Sequence, residues 1–448
     1  MGDLHCVRGP TRWGMRIAAA RTSMLLSVLF LVVYGGTNWI TAQRTDVGTC
    51  YFEWELAIPF VPLMIVPYMS IDLFFIAAPF LCREERELRT LWRRISFAIA
   101  AAGICFLLLP LRLAFEKPEV DGWLGVVFRA FCGFDQPYNL LPSLHITLRT
   151  ILADLYAQHT QRLARGAIQA WFSLVGFSTV LTYQHHVIDV VGGFVLAAFC
   201  FYLFREFVHP LPVTKNVRIA SYYGLGTGAV LVLAAVTWPR GILLLWPAMA
   251  LGIATAAHCG LGPGIFRKNA GLLPLSTRFV LGPLLLGQHL SLLYYRNQCR
   301  RWDNIAPGVW IGRQLSDAEA AEAVRLGVTS VLDLTAEFSE AAPFRSTTYR
   351  NLPILDMTAP TPDQMREAAR FIGTEGAKGT VYVHCKIGYS RSAAAVGAYL
   401  LASHQAATTQ QAVDLLRKAR PSIIIRPEAM AALRAFERAE QMVLAGLR

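Results

Sequence analysis

The stretch Val381-Tyr-Val-His-Cys-Lys-Ile-Gly-Tyr-Ser-Arg-Ser392 decides the fold of the second half of the chain. Its opening residues, Val381 to Val383, favour β structure and predict a short buried strand. Gly388 permits a tight loop, and the alanine-rich run that begins at Ala393 predicts a helix. Because strand, loop and helix follow one another directly, the backbone N–H groups of the loop should converge at the start of the helix and form a cradle for an anion.

Cys385 begins this loop and Arg391 ends it. The guanidinium of Arg391 offers a planar fork of donors that suits two phosphate oxygens. Its positive field should also lower the thiol pKa of Cys385, so that a thiolate nucleophile exists at neutral pH. We therefore predict phosphoryl transfer to Cys385. Besides Arg391, the predicted phosphate-binding residues are Lys386, Ile387, Gly388, Tyr389 and Ser390.

Phosphoryl transfer needs a proton donor for the leaving oxygen. The best candidate is Asp356, in the segment Leu352-Pro-Ile-Leu-Asp-Met-Thr-Ala-Pro360, because it ends an apolar run. Asp333 lies inside the predicted strand Val331-Leu-Asp-Leu-Thr335, and we expect it to be structural.

The loop resembles that of the dual-specificity protein tyrosine phosphatase family, which has a His-Cys-x5-Arg-Ser loop followed by a helix with Ala-Tyr-Leu. The matching residues are His384, Cys385, Arg391, Ser392 and Ala398-Tyr-Leu400. The resemblance covers roughly residues 303–448. It implies that Cys385 attacks phosphorus while Arg391 binds the phosphoryl oxygens. It further implies that Asp356 acts as acid and then as base, and that Ser392 assists breakdown of the thiophosphate.

The region from residue 297 onward reads as alternating strands and helices. One further strand is predicted at Val328–Leu334, and helices are predicted near residues 316–325, 362–373, 393–403, 408–419 and 427–444. About 150 residues are enough for an α/β domain with its own core. A buried cysteine beside a chance glycine loop, or a degenerate phosphate binder, is the alternative that the pattern leaves open.

The composition indicates that this domain is not alone. Of the 448 residues, 54% are hydrophobic and only 16% are charged, which is typical of a polytopic membrane protein that carries a soluble domain. Apolar stretches of about 20 residues, the length that spans a bilayer, occur at residues 22–41, 56–81, 95–115, 140–158, 167–184, 187–204, 219–237 and 241–258. A ninth candidate, Phe279–Tyr295, contains Gly282-Pro283, Gln288 and His289. Three alternatives stay open: the segment spans the membrane, lies in its interface, or caps the preceding helices.

Basic residues cluster in alternate connections, which the positive-inside rule assigns to the cytoplasm. These connections are the N-terminus 1–21 with Arg8, Arg12, Arg16 and Arg21, and the loops Cys82–Arg94, Gln161–Arg165 and Arg205–Arg218. The loops Gln43–Glu55 and Glu116–Asn139 then face outward. We expect a multi-pass protein of a bacterial inner membrane, whose net charge of +12 reflects topology and lipid headgroups rather than nucleic acid.

Two polar clusters lie at span ends that the topology places on the outward face. They are Leu141-Pro-Ser-Leu-His145 and His185-His-Val-Ile-Asp189. Ionisable groups at membrane depth are costly and tend to mark function. Because His185 and Asp189 share one helix face, the carboxylate can hold the imidazole with a free nitrogen for attack on phosphorus. His145 would protonate the leaving oxygen.

Further residues could bind the phosphate at this second site. Arg112 and Lys117, in Pro110-Leu-Arg-Leu-Ala-Phe-Glu-Lys-Pro118, would supply positive charge at the outward end of the third span. Ser143 is expected to bind phosphate rather than to act as a nucleophile, and His186 is expected to be a neighbour rather than a catalyst. The nine cysteines show no metal spacing, and we expect no metal or other cofactor at either site.

The polar clusters resemble the type 2 phosphatidic acid phosphatase superfamily, through Pro142-Ser-Leu-His145 and the His-x3-Asp segment at His185. The resemblance covers roughly residues 20–207 and implies a six-helix bundle with the site at its outer face. The family's Ser-Arg pair is Ser178-Thr179 here, and its Lys-x6-Arg-Pro segment is only loosely matched. The clusters look more like the branch of inositolphosphorylceramide and sphingomyelin synthases, so hydrolysis and headgroup transfer both stay open.

The sequence thus predicts a polytopic α-helical membrane domain followed by a soluble α/β cysteine-phosphatase domain. The expected parts are a cytoplasmic N-terminus 1–21, a phosphatase-like membrane domain 22–207, additional spans 208–296 and the cysteine domain 297–448. The expected substrates are phospholipids or phosphoinositides, with phosphoproteins as the other class. The alternative is a protein phosphatase anchored and regulated by a non-catalytic, lipid-sensing membrane domain.

The side of the membrane on which the cysteine domain lies depends on Phe279–Tyr295. If this segment spans, the domain lies outside; if it does not, the domain is cytoplasmic. Arg296, Arg300 and Arg301 favour the cytoplasm, as does a thiolate that needs a reducing compartment.

Overall fold

The computed structural model describes residues 12–134, 136–205, 211–237, 240–444 and 446. The chain forms two compact units, Met1–Val208 and His209–Arg448. Several expected features fall partly outside the described residues, namely residues 1–11 of the N-terminus with Arg8, residue 135 of the loop Glu116–Asn139, residues 206–210 of the loop Arg205–Arg218 and the chain end at 447–448.

The first unit is helical. Its described residues form helices α1 Arg12–Ala42, α2 Ile65–Ala77, α3 Glu85–Leu108, α4 Gly122–Phe134, α5 Leu144–Gln158, α6 Arg162–Leu181 and α7 Val187–Leu203. Their shared core contains aliphatic and aromatic side chains such as Ile95, Ile99, Leu152 and Phe172, all fully or almost fully buried. Helices α1 and α3 approach closely where Gly103 faces Val33, because a Cβ on this glycine would lie 2.5 Å from the valine side chain. Small residues allow such close packing of membrane helices.

Two stretches of this unit that were expected to be loops are largely or partly helical, and helices α2 and α5 begin later than the expected spans 56–81 and 140–158. Helix α3 begins at Glu85 and ends at Leu108, so most of the basic stretch Cys82–Arg94, expected to be a loop, is helical. Helix α4 lies within a stretch that was also expected to be a loop. Gly122 and Gly125 lower the helix propensity of that sequence, and the helix is instead held by packing of Phe128 against Ile65 and Tyr68.

The second unit begins with a helical hairpin. Helices α8 Val217–Val236 and α9 Leu245–Ala256 are antiparallel, since Gly224 faces Thr255 and Gly226 faces Leu251. Two further helices follow, α10 Leu275–Val280 and α11 Gly282–Arg296. Among the described residues, five helical segments of the whole chain are long and apolar enough to cross a membrane: Arg12–Ala42, Pro62–Leu81, Glu85–Leu108, Val217–Val236 and Gly241–Phe266.

The remainder of the second unit is an α/β domain. Its strands are β1 Trp302–Ala306, β2 Val309–Arg313, β3 Val328–Thr335, β4 Thr348–Ile354 and β5 Thr380–Cys385, and its helices are α12 Asp317–Arg325, α13 Ala342–Arg345, α14 Pro362–Gly376, α15 Ser390–Ala402, α16 Thr409–Ala419 and α17 Pro427–Leu444. The sheet has the order β1-β2-β5-β3-β4, in which β1 and β2 are antiparallel and the other neighbours are parallel. Both predicted strands and all five predicted helices are present; β1, β2, β4 and α13 were not predicted.

The sheet is covered on both faces, as parallel sheets require. One core contains side chains of α14 to α17, including Leu416, Leu433 and Phe436. A smaller core contains side chains of α12 and α13, with Phe344 and Tyr382 in contact. Because β5 is the central strand, Cys385 at its end lies at the middle of the sheet's carboxyl edge.

A buried ion pair fixes the segment between α9 and α10 to this sheet. The ammonium of Lys268 binds Asp333 and also donates to the carbonyl and hydroxyl oxygens of Thr335, each at 3.0 Å. Asp333 is fully buried and accepts a further hydrogen bond from the Tyr349 hydroxyl at 2.7 Å. Asp333 therefore has a structural position, as expected.

We predict that Lys268→Ala lowers the stability of the second unit by about 3–5 kcal/mol, because it leaves the Asp333 carboxylate buried without its cation. Thermal unfolding of the detergent-solubilised chain measures this as a lower midpoint. Lys378→Ala is the matched control, since its ion pair with Glu375 leaves the lysine side chain 63% exposed. Equal midpoint shifts for the two variants would contradict the prediction.

Candidate active sites

The loop between β5 and α15 is shaped by a glycine. Gly388 has a φ of +74°, and a Cβ at this position would lie 2.3 Å from the carbonyl oxygen of Gly312. Only glycine fits there without distortion. The loop borders a pocket of about 240 Å³, which is lined by Ser291, Tyr295, Asp356, Met357, Thr358, Cys385, Lys386, Ile387, Tyr389, Ser390, Arg391, Ile424 and Arg426. The predicted nucleophile, acid and arginine thus meet in one pocket.

Arg391 is buried and held on several sides. Its guanidinium forms two contacts with Glu337, at 2.6 and 3.1 Å, and donates to the carbonyl of Ile354 at 2.9 Å. It also contacts Asp356 Oδ1 at 3.1 Å. Burial alone would lower the pKa of Arg391, but the carboxylates of Glu337 and Asp356 raise it above its ordinary value. The fork is therefore fixed in position and always charged.

The sulfur of Cys385 lies in an environment that favours the thiolate. Burial would raise the pKa of this thiol, but the charge of Arg391 outweighs it, together with the nearby Ser392 hydroxyl and the backbone N–H groups of Ser392 and Tyr389. The net result is a Cys385 pKa below that of an ordinary thiol. These donors are those that the sequence predicted, because they belong to the loop and to the first turn of α15.

Asp356 forms an ion pair with Lys386 in addition to its contact with Arg391. The distance from Lys386 Nζ to Asp356 Oδ2 is 2.6 Å. Burial would raise the pKa of Asp356, but Arg391 and Lys386 lower it well below its ordinary value. The carboxyl is thus ionised while the pocket holds no phosphate. A bound phosphate dianion would compensate the two cations and so raise the pKa of Asp356 toward the range that an acid catalyst needs.

Two residues that support the pocket were missed by the sequence reasoning. Glu337 binds Arg391, and Gln288 of α11 accepts a hydrogen bond from Lys386 Nζ at 2.8 Å. Both lie far from the Cys385 loop in sequence, and no spacing links them to it. One signal was available for Glu337. A buried guanidinium needs a carboxylate partner, so the expected burial of Arg391 implied an acidic residue beside it.

A cluster near the site has the composition of a metal site. Asp333, Glu340 and His384 bring their ligand atoms within 4.8 Å of one another. Lys268 already supplies a positive charge to this cluster through Asp333. Burial would lower the pKa of His384, but Glu340 and Asp333 raise it above its ordinary value. The Lys268 ammonium and the His384 imidazole compensate the charges of the Asp333 and Glu340 carboxylates. The cluster therefore has a structural explanation that needs no metal ion.

In the first unit, the two predicted histidines line one cavity. His145 and His185 both border a space of about 630 Å³, whose lining is otherwise mostly apolar and includes Phe30, Tyr34, Phe75, Val126 and Leu148. The ring of His145 stacks on Tyr68, with centroids 4.2 Å apart. Neither Nε2 of His145 nor Nδ1 of His185 has a hydrogen-bond partner among the described residues. Both nitrogens are buried, and Nδ1 of His185 faces Asp189.

Asp189 lies beside His185, but His185 precedes α7 and does not share a helix face with Asp189 as expected. The distance from His185 Nδ1 to Asp189 Oδ2 is 3.7 Å, which is an ion-pair contact and too long for a hydrogen bond. The same oxygen accepts the backbone N–H of His186 at 2.8 Å and so caps helix α7. Glu55, which the sequence reasoning missed, is fully buried and lies 3.4 Å from His186 Nδ1. Glu55 lies in Tyr51-Phe-Glu-Trp-Glu-Leu56, and no sequence spacing links it to His186.

The remaining predicted residues of this site have different surroundings. Lys117 donates to the side chain of Gln184, next to His185, at 2.8 Å. Arg112 is exposed, and its backbone N–H donates to Gly48. Ser143 is buried, and its hydroxyl accepts the N–H of Ile146 as the N-cap of α5. Phosphate binding by Arg112, Lys117 and Ser143 stays a prediction.

Comparisons with known proteins agree with both halves of this description. The family described as "Dual specificity phosphatase, catalytic domain" matches residues 309–439, and "PAP2 superfamily" matches residues 61–203. Human dual specificity protein phosphatase 26 is 30% identical over 155 residues, which cover 31% of this chain and 74% of that protein. Phosphatidylglycerophosphate phosphatase PTPMT2 of Arabidopsis thaliana is 27% identical over 181 residues, which cover 38% of this chain and 78% of that protein.

Human protein phosphatase Slingshot homolog 3 is 35% identical over 142 residues, or 31% of this chain, but the chain spans only 20% of that relative's length. The dual specificity phosphatase domain supports a phosphoric monoester hydrolase. The chain belongs to the dual specificity phosphatase family, with a PAP2-superfamily domain preceding the catalytic domain. The fusion predicted from the sequence is confirmed.

We predict that Cys385 reacts with iodoacetamide as a thiolate at a pH well below the ordinary thiol pKa, because Arg391 lowers the pKa of Cys385. The pH dependence of the inactivation rate measures that pKa. In Arg391→Ala, the midpoint should move to higher pH, since the stabilising charge is gone. Equal midpoints in the parent protein and Arg391→Ala would contradict this account of the thiolate.

We also predict that Asp356→Asn affects esters according to their leaving group. An alkyl phosphate needs protonation of its leaving oxygen, so its hydrolysis should fall at least about a hundredfold. An aryl phosphate with an acidic phenol needs less help and should lose much less. The measurement is kcat/KM for both esters. Equal losses for the two would show that Asp356 is not the acid.

Proposed function

We propose that the Cys385 domain hydrolyses the phosphomonoester headgroup of a membrane lipid. The observation that carries this proposal is the construction of the second unit, in which the apolar hairpin α8–α9 and the catalytic domain are one compact body. Asn216, just before α8, donates to the carbonyl of Met357 at 2.8 Å, and Thr214 donates to Ala359 at 3.0 Å. The loop that contains the proposed acid Asp356 is therefore hydrogen-bonded to the residues just before a candidate membrane hairpin.

The first chemical step is transfer of the phosphoryl group to Cys385. The thiolate forms an S–P bond while the bond from phosphorus to the headgroup oxygen breaks. Arg391 and the loop N–H groups bind the phosphoryl oxygens, where negative charge is concentrated. Asp356 gives its proton to the leaving oxygen, so that the headgroup departs as an alcohol.

The second step releases phosphate. Asp356, now a carboxylate, takes a proton from a water molecule, which attacks phosphorus as the S–P bond breaks. We propose that the Ser392 hydroxyl, which has no other hydrogen-bond partner among the described residues, stabilises the departing thiolate. Inorganic phosphate and the free Cys385 thiolate result, and no metal ion takes part in the proposed sequence.

Two further observations support a lipid as the substrate. The chain covers 78% of a relative whose name is phosphatidylglycerophosphate phosphatase. The pocket also contains apolar side chains at its mouth, such as Ile424, which is 59% exposed. A phosphoprotein substrate requires neither apolar residues at the pocket entrance nor attachment of the domain to an apolar hairpin. Phosphoproteins stay the alternative substrate class.

We further propose that the first unit acts on a lipid phosphate by hydrolysis or headgroup transfer. His185 would attack phosphorus, Asp189 would hold its ring, and His145 would protonate the leaving oxygen. The apolar cavity that both histidines border supports this proposal, because its volume of about 630 Å³ suits part of a lipid chain. A non-catalytic, lipid-sensing first unit is the alternative.

For the membrane topology, we propose that the catalytic domain is cytoplasmic. Lys215 and Arg218 flank the start of α8, and Arg267 and Lys268 follow the hairpin. These four cations lie on the side of the catalytic domain, and the positive-inside rule assigns that side to the cytoplasm.

The chain reconstituted in lipid vesicles tests both sites. Phosphate release from a long-chain lipid phosphomonoester and from p-nitrophenyl phosphate is compared for Cys385→Ser, His185→Ala and the control Cys259→Ser, which removes an exposed cysteine. We expect Cys385→Ser to abolish hydrolysis of the soluble ester and to reduce that of the lipid, and His185→Ala to reduce lipid turnover alone. Lipid turnover that does not change in His185→Ala would contradict a catalytic first unit; lipid turnover that does not change in Cys385→Ser would contradict the lipid substrate of the cysteine site.

A further inference from the structure

One wall of the Cys385 pocket is a helix that lies outside the catalytic domain. Gln288 of α11 binds Lys386 at 2.8 Å, and Ser291 and Tyr295 line the pocket. The spacing of these three residues places them on one face of the helix. The family match begins only at residue 309, so this wall is an addition to the family's catalytic domain.

The path of the chain places α11 beside the membrane hairpin. The chain leaves the catalytic domain at Leu273, just before α10, where the Leu273 N–H donates to Ser339 Oγ at 3.0 Å. Helix α10 ends near the start of α9, where Trp246 Nε1 donates to the carbonyl of Phe279 at 3.0 Å. Helix α11 then returns to the pocket. Both ends of the α10–α11 segment contact the catalytic domain, an arrangement that fits a segment that enters the membrane layer and comes back.

The opposite face of α11 is apolar and exposed. Leu286, Leu290 and Tyr294 are 59%, 56% and 65% exposed, and Leu293 beside them is 38% exposed. They repeat at helical spacing and form one stripe. A helix of a soluble protein turns its polar face outward, whereas the exposed face of α11 carries leucines while Gln288 and Ser291 are turned toward the pocket. This reversal is expected where the surroundings are lipid.

We propose that α11 lies in the lipid surface and guides the phosphomonoester headgroup of a lipid in the same bilayer into the Cys385 pocket. This inference rests on the proposed function and adds the route by which the substrate arrives. The outer stripe contacts lipid chains, because it continues the exposed apolar surface of α8 and α9, where residues such as Leu225 and Val232 are 72% and 65% exposed. The inner face then presents Ser291 and Tyr295 to the headgroup.

The mouth of the pocket has the mixed character that such a route requires. Arg426 and Ile424, both exposed, lie at the pocket beside the end of α11. Arg296 ends the helix itself. A cation attracts an anionic headgroup, and a neighbouring apolar side chain accommodates the first part of the lipid chain. A soluble phosphoester uses the same Cys385 and Arg391 but needs neither the stripe nor this mouth.

The test changes the outer stripe without touching the pocket. The double variant Leu290→Glu, Leu293→Glu is compared with Leu326→Glu, Leu415→Glu, whose leucines are 57% and 39% exposed on the catalytic domain and so match the stripe in exposure. Each chain is reconstituted in vesicles, and kcat/KM is measured for a long-chain lipid phosphomonoester and for p-nitrophenyl phosphate. The stripe variant should lose at least about tenfold on the lipid, since moving two exposed leucines from water into lipid contributes more than that factor, and keep its activity on the soluble ester. The control should keep both activities.

Each other outcome overturns a defined statement. If the parent chain hydrolyses the lipid and the stripe variant does so equally well, the route along α11 is wrong while the proposed function stands. If the parent chain hydrolyses only the soluble ester, the proposed lipid substrate is wrong, and the route is wrong with it. If both activities fall equally and the detergent-solubilised particle halves in mass, the stripe binds a second copy of the chain, which also overturns the proposal.

Discussion

The buried guanidinium of Arg391 is the group on which the rest of the cysteine site depends. It joins three parts of the second unit, because Glu337 follows β3, Ile354 ends β4 and Arg391 itself lies in the first turn of α15. Its charge is neutralised by Glu337 and Asp356 in the free pocket, and it lowers the pKa of the Cys385 thiol. The same contact that holds the sheet ends together therefore prepares both the nucleophile and the phosphate-binding fork.

The proposed acid catalyst is connected to the apolar helices of the same unit. Asp356 binds Lys386, Lys386 binds Gln288 of α11, and the loop that carries Asp356 is held by Asn216 at the root of α8. A shift of the hairpin or of α11 would thus change the surroundings of Asp356 directly. In this respect the apolar helices of the second unit support the candidate active site.

The sequence predicted the catalytic loop well because its determinants are local. A buried strand, Gly388 and an alanine-rich helix lie within one stretch, so β5, α15, Cys385 and Arg391 could be assigned together. Strands β1 and β4 were missed because they are edge strands of mixed polarity, and β4 contains Pro353. Glu337 and Gln288 were missed because their partners are distant in sequence. Helix α4 was missed because its glycines lower its helix propensity, whereas packing contacts distant in sequence stabilise it.

The two halves of the chain present different evidence for lipid chemistry. In the first unit, His145 and His185 border an apolar cavity, while in the second unit a helix with an exposed apolar face forms one wall of the Cys385 pocket.

The central claim is that the Cys385 pocket acts on a lipid. The most direct measurement compares kcat/KM of the reconstituted chain for a long-chain lipid phosphomonoester and for a tyrosine-phosphorylated peptide, with His185→Ala present to silence the first unit. The account predicts a preference for the lipid of at least about tenfold, equivalent to 1.4 kcal/mol; an equal preference for the peptide, or a greater one, would contradict it.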